Sequence, residues 1–351
     1  MKLPRKISCT TPQVTIRTEV TMETETTLKT VEESSPQKVN YKQLLLKFAG
    51  IGPLLILLCI IVSIINPAFL TVQNWINLLT ASSGIWIMAM AMTLVLLTAG
   101  FDLSVGSTMA LSGVMLVTLL SAGMSQLLSI ILTIAAITAI GFLINGLLIG
   151  KVGLNFFVVT LGTLSLFRGI VFVWTNGETK YVSEYPLIMA LGNGKLGVIP
   201  YPIIIMLIVF LASFLFLKYT SFGRSIYIVG GNPHTAKLSG INVTLVITVV
   251  YAISAMFAAL AGIIETGRLA SAAPTIGTST ELLVAAAVLL GGTSFKGGVG
   301  GVAGTALGVL FIAVLQNGLS LANVSSYWQN VITGIILILA IFLNHVKSKN
   351  L

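Results

Sequence analysis

The sequence predicts an all-α fold: a polytopic transmembrane bundle of about ten helices with one long cytoplasmic loop. Of its 351 residues, 56% are hydrophobic and only 8% are charged, and the mean hydropathy is +1.02. A soluble domain is about a quarter charged. The apolar runs between about residues 48 and 343 are long and continuous, whereas a porin-type barrel shows alternating segments of about ten residues. Composition and pattern together favour membrane-spanning helices.

Ten apolar segments, separated by Gly, Pro and polar residues, account for the predicted helices. A spanning helix needs about 20 apolar residues. The eighth segment is short, so eight or nine crossings remain alternatives to ten. The segments cover residues 48–65, 75–98, a third that ends near 120, 127–149, 156–174, 201–217, 244–264, 282–290, 299–315 and 328–343.

The two ends of the chain are predicted to be polar tails. Residues 1–40 are rich in Thr, Ser, Glu and Lys and poor in aromatic residues, which predicts a disordered cytoplasmic tail. They lack the pattern of a cleaved signal peptide. Residues 41–345 form the predicted transmembrane domain, and residues 346–351 form a short cytoplasmic tail.

The distribution of positive charge predicts the orientation. Ten crossings place both termini on one side, together with Lys151, the polar loop at 218–243, and Lys296. Cytoplasmic loops carry an excess of Lys and Arg, so this side is predicted to be cytoplasmic and the loop at 176–200, which has mixed charges, faces outward. Membrane topology accounts for the net charge of +9, and we expect no nucleic-acid partner.

The loop at residues 218–243 is the longest polar interruption between apolar segments. It contains Lys218, Arg224, His234 and Lys237 and no acidic residue. Gly, Asn and Pro interrupt the backbone on both sides of residues 234–238. We therefore expect a short helix there, held between two turns and open to a partner.

Three polar residues beside or inside apolar segments are candidates for a translocation path. Asp102 lies between Gly100 and Gly106. It either lines the path at a broken helix or caps the third helix without touching a substrate. Arg168, within the fifth segment, either neutralises a group inside the bundle or extends to the outer interface. Asn155, directly before that segment, is assigned to the same possible path.

Glycines at every fourth position predict close helix packing. Gly300, Gly304 and Gly308 form one smooth stripe on the ninth segment, and such stripes let another helix approach closely. The partner helix belongs either to the same chain or to a second subunit. Glu265 and Arg268, three residues apart, are expected to form a local ion pair.

The sequence contains none of the patterns that would indicate an enzyme. It has no GxxxxGK[ST] phosphate loop and no Cys/His spacing typical of a metal site. No nucleophile, base and orienting group can be assembled. We therefore expect no catalytic residue, no metal and no cofactor in this chain.

Four motifs resemble one family of transport proteins. They are GFDLSVGSTMALSG (100–113), TLGTLSLFRG (160–169), FGRSIYIVGGNPHTAKLSGINV (222–243) and AAAVLLGGTSFKGGVGG (285–301). Together they are similar to the permease subunit of the ribose-type sugar importers, which are ATP-binding-cassette systems. The resemblance covers about residues 40–345.

This resemblance implies a multi-pass permease of the bacterial inner membrane, either homodimeric or paired with a second permease subunit. A cassette ATPase would dock on its cytoplasmic face, and a sugar-binding protein would deliver substrate from outside. The 218–243 loop would seat a coupling helix in the ATPase, although His234 and Thr235 replace the Glu and first Ala of the usual motif. The coupling residues implied are Arg224, Gly231, Asn232, His234, Lys237 and Gly240. An ion-gradient-driven secondary transporter of a small polar solute is the alternative.

Overall fold

The computed structural model describes residues 51–329, 331–332, 334–336 and 338–339, and this part of the chain is mostly helical. The two predicted tails lie outside the described residues. The helices are α1 (Gly52–Ile65), α2 (Val72–Leu97), α3 (Val105–Ser121), α4 (Gln126–Gly150), α5 (Phe156–Thr175), α6 (Pro186–Asn193), α7 (Tyr201–Tyr219), α8 (Ser221–Gly231), α9 (Pro233–Leu238), α10 (Val243–Arg268), α11 (Thr280–Leu290) and α12 (Val302–Leu321).

Six of these helices are long and apolar enough to cross a membrane, namely α2, α4, α5, α7, α10 and α12. Three shorter apolar helices, α1, α3 and α11, correspond to the first, third and eighth predicted segments. In the tenth segment, the described residues at 328–329, 331–332, 334–336 and 338–339 are helical. The multi-pass helical class is therefore confirmed, and the count of ten crossings stays a prediction.

Within the described residues, four short strands lie in the links between helices. β1 (Lys180–Tyr181) pairs antiparallel with β4 (Ser271–Ala272). β2 (Lys195–Leu196) and β3 (Ile199–Pro200) form a hairpin before α7. Strands β1, β2 and β3 and helix α6 lie within residues 176–200. The sequence predicted only a loop there. Helix α4 contains a π-helical turn at Phe142–Gly146.

Helix α10 lies at the centre of the bundle and packs against α2, α3, α4 and α6. Small residues allow these close approaches. A Cβ atom on Gly262 would overlap the Met109 carbonyl of α3, and a Cβ atom on Gly141 of α4 would overlap Ala255. Interiors are packed densely enough that even one added methyl group is felt. The small side chains of α10 therefore set the spacing of the bundle.

Hydrogen bonds along α10 show which part of this helix each neighbouring element lies beside. Near the N-terminal end of α10, Thr248 donates to the Gly146 carbonyl at 3.0 Å. At its middle, Ser254 donates to Asp102 at 2.7 Å. Near its C-terminal end, the Gly267 carbonyl accepts from Asn193 of α6 at 2.7 Å. Since α10 has 26 residues and a helix rises 1.5 Å per residue, it spans about 39 Å, enough to cross the bilayer.

Two non-helical segments reach the level of the middle of α10. The first, residues 98–104, joins α2 to α3 and contains Asp102. The second, residues 269–279, returns from the C-terminal end of α10 along α3. Within it, Ala272 lies beside Gly113, and Gly277 lies beside Gly106. Non-helical backbone at membrane depth is tolerated only where protein buries it or where it lines a water-filled cavity.

The glycine stripe predicted on the ninth segment differs in one position from the structure. Helix α12 begins at Val302, so Gly300 lies in the preceding loop with φ +132°. A Cβ atom at Gly300 would also come within 2.5 Å of Thr293 Cα. The glycine at position 300 is therefore explained by its backbone conformation and its close contact with Thr293, and not by packing of a helix face.

Candidate functional site

The polar loop between α7 and α10 folds into two helices. Thr220 caps the first of these helices, α8, by accepting from the Gly223 N–H at 2.9 Å. Gly223 itself packs against the backbone of Leu217, which explains a glycine inside a helix. Ile226 and Val229 bury one face of α8.

The short helix predicted at 234–238 is present as α9 and begins at Pro233. The Asn232 side chain accepts from the N–H groups of His234 at 2.9 Å and Thr235 at 3.1 Å. Ala236 is buried, whereas the residues around it in α9 are exposed. The helix therefore lies on the surface, held at its N-terminus by one capping side chain.

The six predicted coupling residues all lie on this exposed surface. Arg224 donates to Ser221 within α8 at 2.9 Å, and Gly231 ends α8 in open space. His234 and Lys237 are exposed on α9. Gly240 follows α9 with φ +78°, a conformation that glycine adopts at little cost.

Helix α8 packs directly on the C-terminal end of α2, just before the first non-helical segment. A Cβ atom on Gly230 would overlap the Leu97 carbonyl at the end of α2. The same carbonyl accepts from the Gly298 N–H at 3.0 Å, and Tyr227 of α8 donates to the Gly300 carbonyl at 3.1 Å. We call this contact of α8, residue 97 and the 291–301 loop the glycine junction. It joins the exposed loop to the interior of the bundle.

Asp102 lies at the centre of a buried hydrogen-bond network and is 2% exposed. One carboxylate oxygen accepts from the Ser104 N–H at 2.9 Å and the Ser104 hydroxyl at 2.6 Å. The other accepts from Ser254 at 2.7 Å, and Asn145 donates to the Ser104 hydroxyl at 2.9 Å. Asp102 accepts from the N–H of Ser104, the N-cap residue of α3, and among the described residues no side chain caps that helix. Both interpretations of Asp102, as a helix cap and as part of a path, stay predictions.

The other two candidate path residues lie apart from this network. Asn155 is exposed at the start of α5 and caps it by accepting from the Phe157 N–H at 2.8 Å. Arg168 of α5 donates from one nitrogen to the carbonyls of Pro274 at 2.5 Å and Ile276 at 2.8 Å. Arg168 therefore holds the second non-helical segment, a role that the sequence did not predict.

Gly304 and Gly308 pack α12 against α11 of the same chain. Cβ atoms at these positions would overlap the carbonyls of Gly291 and Ala287. The pair Glu265–Arg268 is also present, with nitrogen–oxygen distances of 2.8 and 2.6 Å. The local ion pair expected from the spacing is therefore confirmed.

Two members of the Asp102 hydrogen-bond network, Ser254 beside Asp102 and Asn145 beside Ser104, were not predicted from the sequence. Both residues are polar and lie inside otherwise apolar segments. That position was the signal in the sequence that could have indicated a buried hydrogen-bond network. Polar groups in such segments need partners in the bundle. Tyr251 belongs to the same region, because its hydroxyl donates to the Phe101 carbonyl at 3.2 Å.

Comparison with known proteins supports one class of function. A family described as "Branched-chain amino acid transport system / permease component" matches residues 74–341. The chain is 41% identical over 297 residues to the ribose import permease protein of Escherichia coli, covering 84% of this chain and 92% of the relative.

Two further relatives show the same pattern. The ribose import permease protein of Haemophilus influenzae is 43% identical over 304 residues, covering 85% of this chain and 93% of the relative. The D-allose transport system permease protein of Escherichia coli is 35% identical over 318 residues, covering 91% and 97%. No solved structure matches the chain. The resemblance to ABC permeases is thus confirmed, and the chain belongs to the family of transport-system permease components.

Proposed function

We propose that this chain forms the translocation path of an ATP-driven, binding-protein-dependent importer of a simple sugar. The chain is a multi-pass permease subunit, and ATP hydrolysis belongs to a separate component. Relatives at 41–43% identity are ribose import permeases, and one at 35% is a D-allose permease. A neutral pentose or hexose is therefore the proposed substrate, although the family description names branched-chain amino acids.

The position of α9 is the observation that most directly supports the proposed coupling mechanism. This helix is exposed except for Ala236, and it is linked to the bundle interior through α8 and the glycine junction. We propose that this surface faces the cytoplasm and seats in the cassette ATPase. The basic residues Lys218, Arg224 and Lys237, with no acidic residue nearby in the loop, favour that orientation.

The contacts suggest how motion of the ATPase reaches the path. Movement of α9 displaces α8, and α8 presses on the Leu97 carbonyl through Gly230. That carbonyl ends α2 and directly precedes the segment that contains Asp102. Displacing it shifts the two non-helical segments relative to each other. Alternating access of this kind moves rigid parts of the bundle around a site near the bilayer middle.

The remaining partners follow from the exposed surface and the family. Large apolar side chains are exposed on α1, α5 and α7, including Ile64 (78%), Val173 (79%) and Ile208 (61%). We propose that lipid covers these faces and that a second permease subunit, identical or related, completes the path. An extracytoplasmic binding protein delivers the sugar to the opposite face from α9.

Reconstitution tests the proposed function directly. The chain is placed in proteoliposomes with its cassette ATPase, and D-ribose uptake is measured with and without ATP and the binding protein. We expect accumulation that requires both. Accumulation driven by an imposed proton or sodium gradient without ATP would instead identify a secondary transporter.

A further inference from the structure

The second non-helical segment exposes hydroxyl groups. Apart from Leu269 at the end of α10, the exposed residues of this segment are Thr275, Thr278 and Ser279, and each carries a hydroxyl. By contrast, the exposed faces of α5 and α7 carry large apolar side chains such as Val158 (68%) and Leu211 (54%). The segment therefore presents a surface that lipid would solvate poorly.

This polar surface lies at the depth of the bilayer interior. Gly277 packs on Gly106, at the first turn of α3. Farther along α3, the Ser112 hydroxyl reaches the Ala259 carbonyl of α10 at 3.3 Å, and Asp102 just before α3 meets Ser254. Gly277 is thus level with the middle of α10, the helix long enough to cross the membrane. Polar groups exposed at that depth need water, a solute or protein as a partner.

The segment is held in one conformation before any ligand arrives. Arg168 donates to the carbonyls of Pro274 and Ile276. Gly277 and Ser279 both have positive φ, at 72° and 62°. The Ser279 hydroxyl does not cap α11, so it stays available to a ligand. Such a fixed arrangement lowers the ordering cost of binding.

We infer that Thr275, Thr278 and Ser279 contact the hydroxyl groups of the sugar as it crosses the membrane. This inference rests on the proposed function, which supplies a neutral polyhydroxylated substrate. A Thr or Ser hydroxyl has one donor and two acceptor positions. The Thr278 hydroxyl donates to the Thr275 carbonyl at 2.7 Å, so it offers a sugar its acceptor positions, which match the donor hydroxyls of a pentose or hexose. The exposed residues Thr275, Thr278 and Ser279 are uncharged, and the charged side chains beside them, Arg168 and Glu281, are half-buried. Arg168 acts as a positioning residue behind this surface.

Cysteine modification tests whether the segment lines a water-filled path. In a background with Cys9 and Cys59 replaced by Ser, Thr278→Cys is treated with a charged, water-soluble methanethiosulfonate reagent, and D-ribose uptake is measured. We expect modification and inhibition that added D-ribose slows. The matched control is Leu211→Cys on the apolar face of α7, which we expect to stay unmodified.

Three results would overturn the inference in distinguishable ways. If Thr278→Cys transports ribose but is not modified, the segment faces lipid or is covered. If it forms a disulfide between two copies of the chain and is not modified, the segment is a subunit interface. If the parent protein shows no ATP-dependent uptake of ribose, the proposed function fails and the inference fails with it.

Hydroxyl removal tests the sugar contact itself. Thr275→Val and Thr278→Val keep the side-chain shape and delete one hydroxyl each. We expect each to lower the ribose uptake rate about two- to ten-fold, the range for one hydrogen bond, with ATP hydrolysis retained. Thr118→Val, at an exposed threonine on α3 whose hydroxyl bonds only to its own helix, is the control and should leave uptake unchanged. Full uptake in both segment variants would overturn the inference.

Discussion

The backbone N–H of Gly298 donates a hydrogen bond of 3.0 Å to the carbonyl oxygen of Leu97. The bond joins the loop after α11 to the last residue of α2, and Gly230 of α8 packs against the same carbonyl. The peptide group at the end of α2 thus contacts both α8 and the loop after α11. In the proposed coupling mechanism, motion of α8 is therefore applied at the point where α2 ends.

Gly230→Ala is the sharpest test of this junction. The added methyl group would overlap the Leu97 carbonyl, and overpacking of this kind costs about 1–3 kcal/mol. We expect α8 to shift outward, so that ribose uptake falls while basal ATP hydrolysis by the assembled importer persists. Gly162→Ala on α5, where a Cβ atom meets open space, is the control. Equal uptake in the two variants would contradict a role for the junction in coupling.

Asp102→Asn tests the buried network. The variant keeps the size of the side chain but replaces one carboxylate oxygen with an amide donor, so Ser254 has to accept instead of donate and the bonds from Ser104 are no longer made to a carboxylate. Hydrogen bonds to charged groups contribute about 1.5–3 kcal/mol. We expect a lower melting temperature of the purified protein in detergent.

Ser254→Ala removes one donor and leaves Asp102 with its two bonds from Ser104, so its effect should be smaller than that of Asp102→Asn. A melting temperature of Asp102→Asn equal to that of the parent would show that the network does not stabilise the break between α2 and α3.

Arg168→Met tests the support of the second non-helical segment. The variant leaves the carbonyls of Pro274 and Ile276 without their donor, and a buried group left unpaired costs about 1–3 kcal/mol. We expect a lower melting temperature of the purified protein in detergent and reduced uptake. Arg168→Lys keeps a cationic donor and should recover part of both properties. Identical behaviour of the Met and Lys variants would contradict a hydrogen-bonding role.

Asn232→Ala tests the capping of α9. The substitution removes the acceptor for the N–H groups of His234 and Thr235, and loss of such a cap costs about 1 kcal/mol. Because α9 has few other contacts, we expect fewer sugar molecules transported per ATP hydrolysed, with normal membrane insertion. Asp caps a helix as well as Asn does, so Asn232→Asp should restore the ratio unless the amide itself contacts the ATPase.

The helical segments could be predicted from the sequence because long apolar runs are typical of membrane-spanning helices. The sequence also predicted α9, since Asn232-Pro233 is a strong signal for a helix start. It missed α8 because Gly223 resembles a breaker, whereas this glycine is explained by close packing on Leu217. Local composition cannot distinguish these two uses of glycine.

The candidate site was less predictable because the depth of its residues within the bundle depends on tertiary contacts. Residues 269–279 resemble an ordinary polar loop in sequence, and only the contact of Gly277 with Gly106 shows that they enter the bundle. Likewise, a lone Arg168 gives no indication that its partners are carbonyls of a distant segment. Gly300 fits a four-residue stripe, but its positive φ places it before the helix.

Lys237→Cys gives the most direct test of the central claim, that this permease is driven from the cytoplasm through α9. In the cysteine-free background, intact cells are treated with a membrane-impermeant maleimide, and a short thiol-to-amine cross-linker is applied to inside-out vesicles. The account predicts no labelling in intact cells and, in the vesicles, a cross-link to the cassette ATPase that changes in yield when ATP is added. Labelling of residue 237 from the cell exterior would contradict the account.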